Sequence, residues 1–436
     1  MADGQWLMVI GPFTAICGVG FLARLSYTMA RSPVLPLFAA TLTTSDRAVG
    51  FAAAASTITG IVFKLPAGAL SDVVGRRVLL LASMIVFAGM PFAYLLVKGF
   101  TALLVIRFIH GLATALYGPV AMALVTDLAG QDKGARIAWF TTLTAIGSLI
   151  APTLAGGIID WRAGDRVLAE RSDFMTVYFV AGFVGALAML FAFAVLARSR
   201  PASPAAPRPD GLTGYAGRER RTLRASARRL RDGLREVFAD RRVLVTSGAE
   251  AAIMLASNAL AVFLALYVTD VLEQPKWFAG LLATVAVVSN LLVRPLMGRL
   301  GDRIGRRPLI IAGLVIASMP LVGIWMVRSP VLLVPIMAVF GLGESIVAAA
   351  TAALVADVCK QRNYGAAMGT FGTIYDTGEA SGPILVGALK DAFTHRVPEH
   401  LLYLAYLYAF APVAVLLLAA ALGFALLVRE PERIIT

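Results

Sequence analysis

Cysteine and histidine are nearly absent from this chain, with two and three among 436 residues. Cys17 is expected inside the first membrane helix and Cys359 in a loop at the inner face, so a disulfide between them is implausible. Neither belongs to a metal-ligand spacing. The chain also lacks a glycine-rich phosphate loop, a metal-spaced His/Cys set and a nucleophile–histidine pair. An enzyme is therefore not expected, and neither is direct ATP hydrolysis or any cofactor or metal. Charge is scarce as well: 15% of residues are charged and 59% are hydrophobic. A soluble protein of this size has too much polar surface to cover for that balance.

Apolar sequence is what the chain has in abundance. A bilayer-spanning helix takes about 20 apolar residues. Windows of that length predict twelve spans, near 8–32, 47–70, 77–97, 101–127, 135–159, 174–197, 243–270, 277–298, 308–327, 331–357, 364–389 and 401–428. Around the first span, helical character extends to about Leu42. Met1 to Trp6 carries no basic run and no small-residue cleavage site follows, so the first span reads as a retained helix and not a signal peptide. With the N-terminus inside, cytoplasmic loops and tail hold 25 of the 39 basic residues, external loops hold 9, and 5 (Arg24, Arg31, Lys64, Arg107, Arg294) lie within spans. This asymmetry predicts cytoplasmic N- and C-termini. It also explains the net charge of +13 without a nucleic-acid partner. The alanine- and arginine-rich composition suits a GC-rich bacterial genome, and the expected location is a bacterial cytoplasmic (inner) membrane.

Residues 198–242 interrupt the pattern. They open on RSRPASPAAPRPDG and run on through TLRASARRLRDGLREVF, with 13 Arg against 5 acidic residues. The second part spaces Leu223, Leu230, Leu234 and Val237 along one side, which predicts a basic amphipathic helix on anionic lipid. The expected units are 1–197, an N-terminal six-helix bundle; 198–242, the linker; and 243–436, a C-terminal six-helix bundle.

The two halves are copies. Gly68 to Arg77 (GALSDVVGRR) recurs 230 positions later as Gly298 to Arg307 (GRLGDRIGRR). The segment from Arg107 aligns with that from Met337, placing Gly111 on Gly341 and Asp127 on Asp357. GSLIAPTLAGGIID from Gly147 aligns with GEASGPILVGALKD from Gly378, placing Pro152 on Pro383, Gly156 on Gly387 and Asp160 on Asp391. Internal duplication of this kind typically builds a transporter whose halves rock about a site between them.

On these segments the chain resembles the major facilitator superfamily, and within it the twelve-helix drug:proton antiporters. The resemblance implies an all-α membrane fold of two pseudo-symmetric six-helix bundles, usually monomeric. The repeated loop is similar to the family's signature between helices 2–3 and 8–9, which latches the cytoplasmic side. Its residues here are Gly68, Asp72, Gly75, Arg76 and Arg77, then Gly298, Asp302, Gly305, Arg306 and Arg307. Physically, Gly68 and Gly298 permit close helix approach, and Gly75 and Gly305 a tight turn. Asp72 and Asp302 can pair with the following arginines or cap a helix, and the four arginines meet lipid phosphates. Topology anchoring alone is the simpler reading. LLVIRFIHG resembles the fourth-helix signature around an intramembrane arginine, tied in the family to proton coupling. Arg107 is expected to face the central cavity, or else to bind carbonyls near the outer surface. Gly147, Ala151, Pro152, Gly156 and Gly157 resemble the antiporter signature, with Ala151 where glycine is usual. Small residues there let helices approach closely and the proline kinks the helix.

Candidate chemistry lies in the remaining intramembrane charges. Glu344, Asp376, Glu379, Glu250 and Arg107 are candidates for proton coupling, because a carboxylate inside a bilayer can load and release a proton as its surroundings change. Asp376 and Glu379 share a helix face; they either act together or pair with Arg24 or Arg31 across the halves. Glu250 can alternatively serve as a cytoplasmic gate. Lys64 and Arg294 occupy matched positions and are expected to snorkel to the headgroups. Cavity candidates are Arg24, Arg31, Tyr27, His110, Tyr117, Trp139, Asn258, Tyr267, Asn290 and Tyr375. His110 can titrate but is more simply a packing residue. The leading expectation is proton-coupled efflux of small amphipathic compounds or drugs. The alternatives are carriage of an organic anion or metabolite, motivated by Arg24, Arg31 and Arg107, and a non-transporting membrane sensor or scaffold, motivated by the linker.

Overall fold

The structure is a computed structural model that describes residues 12–128, 133–164, 166, 169–198, 240–358 and 364–428; within these, the side chains of 12, 65–74, 76, 119, 123, 127–128, 133, 195–198 and 364–367 lie outside the description. The linker helix and Cys359 therefore fall outside the described residues.

Among the described residues there are twelve long α-helices, one short one and a 3-10 turn at Glu399–Leu401. The N-terminal half comprises α1 (Pro12–Met29), α2 (Val34–Ala40), α3 (Asp46–Val74), α4 (Arg76–Tyr94), α5 (Phe100–Leu128), α6 (Lys133–Ala163) and α7 (Arg171–Arg198). The C-terminal half comprises α8 (Arg241–Asp270), α9 (Lys276–Ile304), α10 (Arg306–Met326), α11 (Pro330–Val358), α12 (Tyr364–Thr394) and α13 (Leu402–Leu427). The short α2 continues the first span, as expected to about Leu42. Pro33 lacks an N–H, so regular helix stops at Met29 and restarts at Val34, with Arg31 in the turn between. The duplicated loops turn on Gly75 (φ +98°) and Gly305 (φ +100°), a region that disfavours a Cβ.

Ten spans are long and apolar enough to cross a membrane among the described residues; α3 and α12 do not qualify. Those two pack on each other between the halves, as do α6 and α9, so their polar residues face protein and not lipid. We call the end carrying residues 199–239 the linker end and the opposite one the far end. The largest apolar core joins both halves: Val49, Ala52, Ala151 and Ala155 share it with Phe278, Ala279 and Val386. Toward the linker end this core continues only in the C-terminal half, through Leu309, Leu354 and Phe424. Ile16, Cys17, Leu80 and Phe140 belong to a cluster confined to the N-terminal half. Val243, Val355 and Phe371 form another in the C-terminal half.

Candidate functional site

The seam at the far end repeats the duplication in three dimensions. Asp391, near the end of α12, accepts the backbone N–H of Asp46 at 2.6 Å and of Arg47 at 3.0 Å, and the Ser45 hydroxyl at 2.7 Å. Asp160, near the end of α6, accepts the N–H groups of Lys276 at 3.1 Å and Trp277 at 2.7 Å. Each carboxylate thus caps the N-terminus of a helix belonging to the other half, where unpaired N–H groups and the helix dipole favour negative charge. Lys390 adds an ion pair to Asp46 at 2.7 Å. Below the caps the backbones touch. A methyl on Gly50 would strike the Pro383 carbonyl, one on Gly280 the Pro152 carbonyl, one on Gly387 that of Asp46 and one on Gly156 that of Lys276. Asp160 and Asp391 were visible in the sequence as matched positions, but nothing local marked them as caps.

Deeper in the interface, two ion pairs cross between the halves. Arg31 donates to Glu379 at 2.7 Å and to the Asn258 side chain at 2.8 Å, while Asn258 donates to the Glu379 carbonyl at 2.7 Å. Lys64 contacts both Asp376 oxygens, at 2.8 and 2.6 Å. Lys64 therefore does not snorkel; the carboxylate on the facing helix is a nearer partner than the headgroups. Asp376 and Glu379, one turn apart on α12, hold the two halves together.

The C-terminal half keeps two other carboxylates. The Thr351 hydroxyl donates to Glu250 at 2.7 Å, and Ser257 stands within hydrogen-bonding reach of Glu344. Glu250 and Ser257 are seven residues apart on α8, as are Glu344 and Thr351 on α11. The antiparallel helices are thus joined by two reciprocal carboxylate–hydroxyl contacts. Arg294 lies in electrostatic range of both carboxylates without an ion pair to either. The Tyr375 hydroxyl lies in range of all four carboxylates.

Several expected cavity residues sit elsewhere. Arg107 is fully buried and donates to the carbonyls of Ala52 at 3.0 Å and Ala53 at 3.1 Å, so the carbonyl-bound reading holds and the cavity reading does not. His110 shares a hydrogen bond of 3.2 Å with the Tyr94 hydroxyl and meets Tyr27 and Phe87 edge-on, as a packing residue would. Tyr27 and Tyr117 are buried in that same aromatic cluster. Tyr267 packs on Trp325 and Tyr406 and donates to the carbonyls of Trp325 and Val327. The Asn290 backbone carbonyl accepts the Ser345 hydroxyl, a contact that does not involve its side chain. Trp139 is 61% exposed, on the apolar stripe with Leu143, Ile146 and Ile150. That stripe is opposite Thr141 and Ser148, so Trp139 faces lipid.

The signature residues divide as well. Gly147 lies against α1, where a methyl would stand 2.6 Å from the Phe21 carbonyl oxygen, but Gly157 and Gly298 face open space and make no close approach. Arg306 pairs with Asp302 at 2.6 Å and Asp357 at 3.4 Å, and Arg307 donates to the Ala425 carbonyl. Both are thus engaged by protein groups, which compete with lipid phosphate. The side chains of Asp72 and Arg76, and the surroundings of Gly68, lie outside the described residues; Arg77 falls in the first turn of α4.

A family model described as Major Facilitator Superfamily matches residues 16–275 and 246–435. An MFS-type transporter of Methanocaldococcus jannaschii is 22% identical over 390 residues, 88% of this chain and 90% of the relative. The multidrug resistance protein MdtG of Klebsiella pneumoniae is 25% identical over 335 residues, 74% of this chain and 72% of the relative. Among solved structures, a bacterial homologue of the human lysosomal transporter Spinster superposes with a TM-score of 0.74 at 17% identity, covering 98% of this chain and 97% of that one. The nucleoside transporter NupG gives 0.76 at 12% identity, covering 97% and 100%.

Proposed function

The chain belongs to the Major Facilitator Superfamily, and from that premise we propose that this multi-pass transporter exports small amphipathic compounds in exchange for protons. The observation that carries the reading is where the shared core joins the halves: its N-terminal-half members all lie toward the far end, while toward the linker end the N-terminal half packs in a cluster of its own. This is what one state of an alternating-access cycle requires, closed on one side of a central polar zone and parted on the other. By the distribution of Lys and Arg, the linker end is cytoplasmic and both termini lie inside, in the cytoplasmic membrane of a bacterium.

Coupling is assigned to Glu344 and Glu250. Both are bound to hydroxyls, which serve a protonated or an ionised carboxyl, and neither has an ion-pair partner among the described residues. Asp376 and Glu379 are instead occupied by Lys64 and Arg31, and Arg107 supports the fold. Export is favoured by the close α6–α9 seam on Gly156 and Pro152 and by the distant likeness to a multidrug resistance protein.

The test is substrate-driven proton movement in proteoliposomes, comparing wild type with Glu344→Gln and Glu250→Gln across lipophilic cations and organic anions. Proton release from the lumen on adding a compound, lost in one of the two variants, supports antiport. Transport that proceeds unchanged in both variants removes the coupling assignment, and transport indifferent to a pH gradient removes antiport.

A further inference from the structure

The duplication makes the two seams comparable position by position, and they differ in charge. On α12, Asp376 and Glu379 neutralise Lys64 and Arg31. Their counterparts on α6, under the alignment that places Pro383 on Pro152 and Asp391 on Asp160, are Ala145 and Ser148. Both acids are thus missing from the α6–α9 side. One of the two cations has kept its counterpart, and a further arginine of α1 lies beside Ser148. Arg294 stands at the position matching Lys64, with Ala145 where an acid would be. Arg24 is held by Ser148, whose hydroxyl takes only its Nε–H, at 2.9 Å.

Arg24 also points the right way. Its guanidinium reaches the Ser148 hydroxyl on α6, one of the two helices of the other seam. Arg24 precedes the turn that carries Arg31 and so lies nearer the linker end. Arg24 is exposed, and Arg294 is exposed too. The halves have therefore parted below the Arg31–Glu379 bridge, which roofs the space. Glu379, Tyr27 and Tyr117 lie within electrostatic range of Arg24. Glu379 is already paired with Arg31, and neither Arg24 nor Arg294 forms an ion pair among the described residues. The carboxylates in range of Arg294 are Glu250 and Glu344, and it forms an ion pair with neither; Glu250 is only 2% exposed.

We propose that Arg24, assisted by Arg294 from the opposite half, forms an anion site in the central chamber, and that the substrate is an amphipathic compound carrying a carboxylate, phosphonate or similar acidic group. A guanidinium with its outer N–H groups uncommitted presents the fork that binds such groups in bidentate fashion. The apolar body would lie along the surrounding helix faces. This rests on the reading of the chamber as the transport site and narrows its substrate class.

The test places a reporter thiol beside Arg24 by Thr28→Cys, in the full chain with Cys17→Ala and Cys359→Ser, purified in detergent. Labelling rates are compared for the anionic 2-sulfonatoethyl and the cationic 2-trimethylammonioethyl methanethiosulfonate, relative to the same ratio for a free thiol. The anionic reagent is expected to be favoured by about tenfold. Arg24→Gln should abolish the preference. Ala145→Asp, which restores the acid that the duplication lost, should reduce it with every arginine still in place. Labelling without charge preference, or a preference surviving both variants, overturns the anion site while leaving the chamber intact. Failure of both reagents to label overturns the chamber reading and the site with it, because an unreachable guanidinium takes no ligand from solution.

Discussion

The two interhalf caps make a quantitative prediction about the far end. Asp391 accepts two backbone N–H groups and one hydroxyl from the start of α3, and Asp160 accepts two N–H groups from the start of α9. Removing a capping side chain costs about 0.5–2 kcal/mol, and the charge–dipole contribution adds about 0.3–1 kcal/mol. Asp160→Ala should therefore weaken far-end closure by about 1 kcal/mol. Asp391→Ala should weaken it by about 2–3 kcal/mol, because a third acceptor contact, to the Ser45 hydroxyl, is lost as well. At about 1.4 kcal/mol per tenfold, those losses raise the far-end-open population by roughly fivefold and by roughly 30- to 150-fold. Asparagine at either position keeps an acceptor without the charge and should fall between.

Spin labels at Leu96→Cys and Val331→Cys, both 76% exposed in wild type and both at the far end, report the opening by double electron–electron resonance. The long-distance population should grow from wild type to Asp160→Ala to Asp391→Ala, and further in the double variant. Both single variants keeping the wild-type distance distribution, with unchanged melting temperatures, would refute the idea that these carboxylates hold the end closed.

Other outcomes follow from the same geometry. Gly50→Val and Gly280→Val drive a side chain into the Pro383 and Pro152 carbonyls and should prevent far-end closure, whereas Gly157→Ala meets nothing and should be silent; solvent labelling of far-end cysteines separates them. Arg31→Met strands Glu379 and should lower stability by about 1–3 kcal/mol, discounted because Arg31 is 27% exposed. The Arg31→Met/Glu379→Met double variant should recover part of that loss in thermal melts. Arg107→Lys loses the planar fork that reaches the Ala52 and Ala53 carbonyls from separate nitrogens, so melting temperature should fall by an amount equivalent to about 1–3 kcal/mol. The proton stoichiometry of the surviving transporters should not change; a changed stoichiometry would return Arg107 to the coupling machinery.

The helices, the duplicated halves and the turns at Gly75 and Gly305 were legible in the sequence because each depends on local rules. Twenty apolar residues need a helix to satisfy their backbone in lipid, and a φ near +100° strongly favours glycine. The repeat also placed Asp160 opposite Asp391 before any contact was known. Partner choice was decided only by the tertiary structure. Lys64 read as a snorkelling residue and binds Asp376; Arg107 allowed both a cavity and a carbonyl-bound reading, and its hydrogen bonds go to the Ala52 and Ala53 carbonyls; Trp139 read as a cavity aromatic and is exposed on an apolar stripe. In each case the deciding quantity is the rotation of a helix about its own axis and the gap to the helix across the interface. Both are set by packing between residues hundreds of positions apart, so a pattern read along one segment does not contain them.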